Sequence, residues 1–401
     1  MERAVAAALL ALVLLPTTSP AEDFSLRVAD GNRALADEGF FPSPVEALGG
    51  VKGGFYFGVE AEATYDSNFF ITQDYPESEV TADLTPWITY RTDPEGGALW
   101  SFEARYAPTL HTYWNNSYLN GVDHSADMRL KFNGARTNVE LFASYDEVSS
   151  ADRLAGGFIE GSIFNYGIRG SYQVAPRTKL LAAWTASQSD YSSGARSGSD
   201  IYTSQISGLW DATERISIGP VLRHTLTRSD TTGERDAIAT LVDLRYKWGE
   251  RFFFDAAAGV EFAKNSRQGG GRDAGFTGGL DVQYVMNERW TWQGGVHYVT
   301  VPSPVNLNYM VEDLSFDTSV IRTFERGSLE FGLGFSFSQY EPVGLIAVNR
   351  EDDDFLHAFV TYRRKIYNDR ILWTSTLRVA ENNGQKDYSQ CQLSTGLSFE
   401  Y

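Results

Sequence analysis

Cysteine is nearly absent: Cys391 is the single one in 401 residues. No disulfide can form within the chain, and no cysteine-based zinc site can be built. Positive charge is scarce as well. Lys plus Arg number 34 against 52 Asp plus Glu, a net charge of −18, which argues against a nucleic-acid binder, because that function needs a basic face. Long apolar runs are also missing. After the first 21 residues nothing approaches the roughly 20 apolar residues of a membrane-spanning helix. Aromatics, by contrast, are plentiful. The 25 Phe, 21 Tyr and 9 Trp exclude a disordered chain. The mean hydropathy of −0.29 taken alone suggests a soluble protein.

The N-terminal 21 residues read as an export signal. Arg3 precedes an apolar run from Ala4 to Leu15, and Ser19-Pro20-Ala21 offers small residues to a signal peptidase. Residues 22–52 show little alternation and form an expected periplasmic lead-in, with an inward plug and a disordered linker as the two readings. From residue 53 to residue 401 the chain repeats, and this part is the expected barrel.

The repeat is one of long alternating strands. In Ser328 to Tyr340, Leu329, Phe331, Leu333, Phe335 and Phe337 share one face, and Ser328, Glu330, Gly332, Gly334, Ser336 and Ser338 share the other. Period two puts each set on one side of a sheet. Arg251 to Ala263, Ala237 to Trp248 and Trp100 to Tyr106 follow the same rule. Such strands are well over the usual length of about 5–6 residues, and suit a tilted membrane crossing.

Punctuation agrees. Thr213-Glu214-Arg215, Gly249-Glu250-Arg251, Asn287-Glu288-Arg289, Glu325-Arg326-Gly327 and Asn368-Asp369-Arg370 lie between long strands, their arginines 36, 38, 37 and 44 residues apart. Gly134-Ala135-Arg136 and Pro176-Arg177 occupy equivalent places. Longer polar segments alternate with these tight turns, among them Trp114 to Gly121 and Glu341 to Asp353. Short turns on one rim and longer loops on the other belong to a transmembrane barrel. A β-propeller repeat of similar length needs four short strands, whereas each repeat here holds two long ones.

The expected fold is thus all-β: a transmembrane antiparallel up-and-down barrel of about 18 strands, with short periplasmic turns and longer extracellular loops. The strands are expected to begin near Gly53, Glu79, Gly97, His124, Thr137, Gly161, Thr178, Asp200, Arg215, Arg235, Arg251, Asp273, Arg289, Met310, Ser328, Asp354, Arg370 and Asp387. Sixteen is the alternative count, because Asp66 to Ser78 is irregular.

Parity assigns the charges. Glu60, Glu62, Asp83, Glu103, Glu140, Asp243, Asp255, Glu261, Asp281, Asp313, Asp317 and Glu330 fall on the polar face. Arg105, Arg129, Lys131, Arg169, Arg223, Arg245, Lys247, Arg363 and Arg378 join them. Hydrocarbon would penalise a midplane Arg or Lys by about 2–4 kcal/mol, so these residues are expected to line the lumen. Two arrangements fit: rings of opposite charge that set up a transverse field in an open pore, or a lumen closed by salt bridges and loops. The acidic excess predicts a cation-favouring interior. Glu351-Asp352-Asp353-Asp354 reads as a solvated acidic loop, with divalent-cation binding as the sharper reading. Strand-end aromatics such as Trp87, Trp248, Trp290, Trp292, Trp373 and Tyr401 read as interfacial girdles. Tyr56, Trp87 and Phe253 are the candidates if aromatics instead stack on sugars.

Catalytic signals are weak. The five histidines form no metal-ligand pair, and no cofactor is expected. His124-Ser125 is the only adjacent Ser–His pair, and neighbours on a strand point to opposite faces. A barrel enzyme is therefore the least favoured of three readings.

The chain ends with Leu393, Leu397, Phe399 and Tyr401 on one face. This pattern resembles the assembly signal by which outer-membrane proteins engage the barrel-assembly machinery. Tyr65-Asp66-Ser67-Asn68-Phe69-Phe70 resembles the Y-D-x-N-aromatic stretch of a family of outer-membrane β-barrel porins, some of whose members are associated with exopolysaccharide export. The resemblance implies a signal, a short lead-in and a barrel reaching the last residue, in the bacterial outer membrane among lipid and lipopolysaccharide. It implies passage of hydrophilic solutes, with carbohydrate or surface polysaccharide as a candidate. A non-conducting structural or assembly component of an export system is the alternative. It carries over no catalytic residue.

Overall fold

Eighteen strands pair antiparallel around a complete ring in this computed structural model. It describes residues 54–92, 99–152, 157–192, 198–229, 233–266, 273–302, 309–342, 351–367, 370–384 and 387–400. The expected signal (1–21), the lead-in (22–52) and Tyr401 lie outside the described residues, as do Asn368 and Asp369 of one turn.

The strands are β1 (Gly54–Asp66), β2 (Glu79–Arg91), β3 (Trp100–Tyr113), β4 (Gly121–Asn133), β5 (Thr137–Asp152) and β6 (Gly157–Ala175). They continue as β7 (Thr178–Tyr191), β8 (Ser199–Asp211), β9 (Ile216–Ser229), β10 (Gly233–Trp248), β11 (Phe252–Asn265) and β12 (Asp273–Asn287). The last six are β13 (Trp290–Pro302), β14 (Tyr309–Phe324), β15 (Gly327–Pro342), β16 (Asp353–Ile366), β17 (Ile371–Asn383) and β18 (Tyr388–Glu400). The count is eighteen, not sixteen, because Glu79–Arg91 pairs along its whole length with β1. β1 also pairs with β18, from Gly58 opposite Glu400 to Asp66 opposite Gln392, and this closes the ring. Closure satisfies every ladder internally and leaves no open edge, which hydrocarbon demands. A 13-residue strand such as β1, tilted as such strands are, rises roughly 33 Å, enough for the membrane core.

The tight turns have a repeated local chemistry. The Thr213 hydroxyl accepts the N–H groups of Arg215 at 3.1 Å and Ile216 at 3.0 Å. Asn287 Oδ1 does the same for Arg289 at 2.9 Å and Trp290 at 3.1 Å. In both, a short polar side chain closes the turn on its own backbone. Gly249 takes the third such place at φ +69°, a conformation that favours glycine. The turn arginines then link one hairpin to the next. The carbonyls of Arg136, Arg177, Arg215, Arg251, Arg289 and Arg326 accept N–H groups from Gln173, Asp211, Lys247, Val285, Thr323 and Lys365 of the following hairpin. The 36-to-38-residue spacing of the motif is therefore the width of one hairpin.

The two faces of the wall differ as parity requires. On β15 Phe331, Leu333 and Phe335 are exposed, while Glu330, Ser336 and Ser338 are buried. On β10 Val242 is exposed and Leu241, Asp243 and Arg245 are buried. The exposed face is apolar all round, from Phe55 and Phe57 through Ile206, Leu222 and Phe276 to Leu377. Trp100, Trp210 and Trp248 stand exposed at the periplasmic ends of β3, β8 and β10 as a girdle. Trp87 does not belong to that girdle. It lies on the lumen face, against Gly58, where a Cβ would collide with its ring.

Candidate functional site

The lumen wall is charged, and most of its charges are paired. Arg105 donates to Glu60 at 3.2 Å from two strands away. Arg91 meets Glu103 at 3.2 Å. Glu140 collects Arg129 at 3.4 Å, Lys131 at 3.8 Å and Arg169 at 3.1 Å. Glu261 takes both Arg223, at 3.8 Å, and Arg235. Arg245 lies between Asp243 at 3.5 Å and Asp255 at 3.6 Å. Arg363 donates to Glu330 at 3.0 Å. Arg245 and Asp243 share β10, and every other pair joins neighbouring or next-neighbouring strands, so the opposite charges do not face each other across the bore. The expected transverse rings are not what the register builds, because charges of both signs fall on the same stretch of wall.

The remaining candidates are held differently. Asp83 binds His111 Nδ1 at 2.8 Å, and Asp123 binds its Nε2 at 3.3 Å. Glu62 accepts the Thr64 hydroxyl at 3.1 Å. Asp281 lies 3.3 Å from His297 Nε2. Asp281, Asp317 and His297 converge over Gly295, where a Cβ would lie 3.0, 2.9 and 2.8 Å from them. Asp313 accepts the Ser338 hydroxyl at 2.6 Å. Arg378 lies opposite Phe359 and Gln392 in register, within electrostatic range of Asp66. Three lumen aromatics carry a cation over the ring: Arg91 over Tyr56 at 5.5 Å, Arg105 over Trp87 at 5.0 Å, and Lys247 over Phe253 at 5.4 Å. Trp87 thus has Gly58 beneath one face and Arg105 over the ring, an arrangement that argues against sugar stacking there.

The Tyr65–Phe70 motif does more than turn the chain. Residues 67–78 fold into the extracellular mouth. Asp66 anchors the entry: it accepts the Asn68 N–H at 2.8 Å and the side-chain amides of Gln390 at 2.7 Å and Gln392 at 2.9 Å. The Asn68 amide donates to the Thr72 carbonyl at 2.9 Å and the Ser389 carbonyl at 3.3 Å, while its oxygen accepts the Thr72 N–H at 3.0 Å. Phe69 packs on Tyr113 of β3 and Phe158 of β6, with centroids 5.3 and 5.8 Å away. Ile71 joins Phe355, Ala380 and Tyr388 of β16, β17 and β18, and Ala151 of β5 packs on the same cluster. β5 and β16 stand well apart in the strand order, so this segment bridges the mouth between two distant walls. Ile71 has φ +54° and Tyr75 φ +60°. A β-branched residue in that region is strained, and burial of Ile71 at 4% exposure offsets the strain.

Glu79 fixes the exit of the segment. It is fully buried and accepts the N–H of Asn115 at 2.8 Å, the N–H and side-chain amide of Asn116 at 2.9 and 2.7 Å, and the N–H of Val80 at 2.9 Å. Sequence parity did not single out Asn68, Glu79, His111 or Arg235. Asn68 acts through Thr72 and through Ser389 of β18, Glu79 through the β3–β4 connection, and the other two lie near strand ends.

Two further expectations meet the structure here. Asp353 is buried and accepts the Tyr340 hydroxyl at 2.6 Å and the Asn382 amide at 3.4 Å, so the 351–354 run is not wholly solvated. Among the described residues no group of three or more His, Cys, Asp or Glu could hold a metal. His124 bonds the Tyr106 hydroxyl at 2.8 Å on the lipid face, and Ser125 donates to Asp146 at 2.7 Å on the lumen face. The adjacent pair is split as the pleat requires. Leu393, Leu397 and Phe399 share the lipid face of β18 and lie opposite Tyr65, Ala61 and Val59 of β1.

No family model and no curated protein matches the chain in sequence. Among solved structures the fold is similar to that of Acinetobacter baumannii OccAB4, at TM-score 0.50 and 8% identity, over 90% of this chain and 100% of that one. It is similar too to the outer membrane protein opdK of Pseudomonas aeruginosa, at TM-score 0.50 and 10% identity, over 86% of this chain and 99% of that one. At these identities the likeness carries the fold alone. A closed 18-stranded barrel with an apolar exterior is built for lipid on the outside, and the chain is a β-barrel protein of the bacterial outer membrane.

Proposed function

We propose that the barrel is a porin-like channel for hydrophilic solutes, gated at its extracellular mouth by residues 67–78. The observation that carries this reading is the contrast between the apolar lipid face and a lumen wall set with ion pairs. Charges placed in this way need water or a partner inside the barrel, and a ring of eighteen strands is wide enough for an aqueous passage. The carboxylate excess favours cations over small anions. Carbohydrate is the candidate solute, and the resemblance of the 65–70 motif supports it. Lipid and lipopolysaccharide are the expected surroundings, and Leu393, Leu397, Phe399 and Tyr401 the expected signal to the assembly machinery.

Planar-bilayer recording tests this reading. The expected result is discrete conductance with a cation preference, reduced by mono- or oligosaccharide. Absence of current at any voltage would sink it. The bridge that Ile71 makes across the mouth favours a second reading, a non-conducting component of an exopolysaccharide export system. That reading predicts silence even after the bridge is loosened by Asn68→Ala.

A further inference from the structure

The lumen charges pair around the wall, but they are uneven along the axis. Each strand runs from rim to rim, so position in the strand gives height in the barrel. Six lumen-face carboxylates, Glu79, Asp83, Asp123, Glu261, Asp313 and Asp353, lie within four residues of the extracellular end of their strands. Glu62 and Asp66 stand at the same height. Among the described residues, Arg235, His111 and His357 are the basic groups of that zone on this face.

The periplasmic end is the reverse. Arg91, Arg129, Lys131, Lys247, Arg363 and Lys365 lie within four residues of it. Lys179 and Arg245 add to them, against Glu103, Glu140, Asp211, Asp255, Glu330 and Glu400, so eight basic groups face six acidic ones. The periplasmic zone is thus close to neutral with a small basic excess, and the extracellular zone is strongly acidic.

We infer that the channel is electrically polarised along its axis and passes current asymmetrically. The inference rests on the channel reading above. An acidic zone fills with cations and a weakly basic one does not. With the extracellular side positive, cations are driven in from the zone that concentrates them, and ions accumulate in the bore. With the opposite sign, cations must enter through the zone that excludes them, and the bore is depleted. The polarity also selects solutes: a small anion meets a barrier at the outer end and a small cation a weaker one at the inner end, while an uncharged hydrophilic solute meets neither.

The test is single-channel recording of the full chain in symmetric KCl. Orientation is set by one-sided addition of a charged thiol reagent to Tyr118→Cys, a position exposed in the 114–120 connection, in a Cys391→Ser background. At 0.1 M the current with the extracellular side positive should exceed the reverse by about two-fold, and at 1 M the ratio should fall to near one, because the screening length shrinks from about 10 to 3 Å. The double variant Asp83→Asn with Asp313→Asn should bring the 0.1 M ratio toward one while still conducting. A symmetric current at 0.1 M, or the opposite asymmetry, overturns the polarity and leaves the channel standing. A ratio unmoved by the double variant overturns its assignment to the acidic zone. Absence of current overturns the channel and this inference with it.

Discussion

The two rims of the barrel reverse the chain in opposite ways. At the periplasmic rim the strands are joined by exposed turns closed by local side-chain hydrogen bonds, as at Thr213 and Asn287, and tied to the next hairpin through backbone carbonyls. At the extracellular rim the β1–β2 connection is anchored by buried polar side chains, Asn68 at 2% exposure and Glu79 at 0%. Their partners come from other hairpins, Ser389 for the first and Asn115 and Asn116 for the second. A local turn only has to reverse direction. A buried carboxylate must have its acceptors filled or it destabilises the fold, so it fixes a conformation as well. The difference places specificity of structure at the mouth and tolerance at the base.

Four substitutions would break or sharpen that contrast. Glu79→Ala should have the largest effect, because it removes the buried acceptor of four hydrogen bonds, among them those that tie the β3–β4 connection to β2. We expect about 3 kcal/mol of destabilisation, read as a lower urea midpoint for unfolding from lipid. Asn68→Ala removes the bonds to Thr72 and Ser389, and should cost about 1–2 kcal/mol. It should also raise single-channel conductance by roughly two-fold through release of the constriction; unchanged conductance would mean that 67–78 does not limit flow. At the other rim, Gly249→Ala forces a Cβ onto positive φ and should cost about 1 kcal/mol with no change in conductance. Glu288→Ala, in the Asn287–Arg289 turn, should stay within about 0.5 kcal/mol. A periplasmic-rim variant that matched Glu79→Ala in cost would erase the distinction between the rims.

Much of the fold was legible because one constraint acts on every residue. Lipid outside and water inside impose period two on each strand, and parity alone placed Phe331, Leu333 and Phe335 on one face and Glu330 on the other. The arginine turns were legible as punctuation, although their carbonyl links to the next hairpin were not. The site was legible only in part. Parity put Arg105 and Glu60 on the same face, yet their contact depends on the register of three strands. The same parity suggested rings of opposed charge, and register instead put charges of both signs side by side.

The sequence by itself therefore determined the class of fold, the strand count to within two, and which face each side chain takes. The pleat is a local property, and solvent on either side reads it residue by residue. Only the tertiary structure decided which charges meet and that the Asp66–Asn68 segment turns into the mouth. Those depend on strand register and on partners more than 300 residues apart, such as Asn68 with Ser389, and no local pattern encodes them.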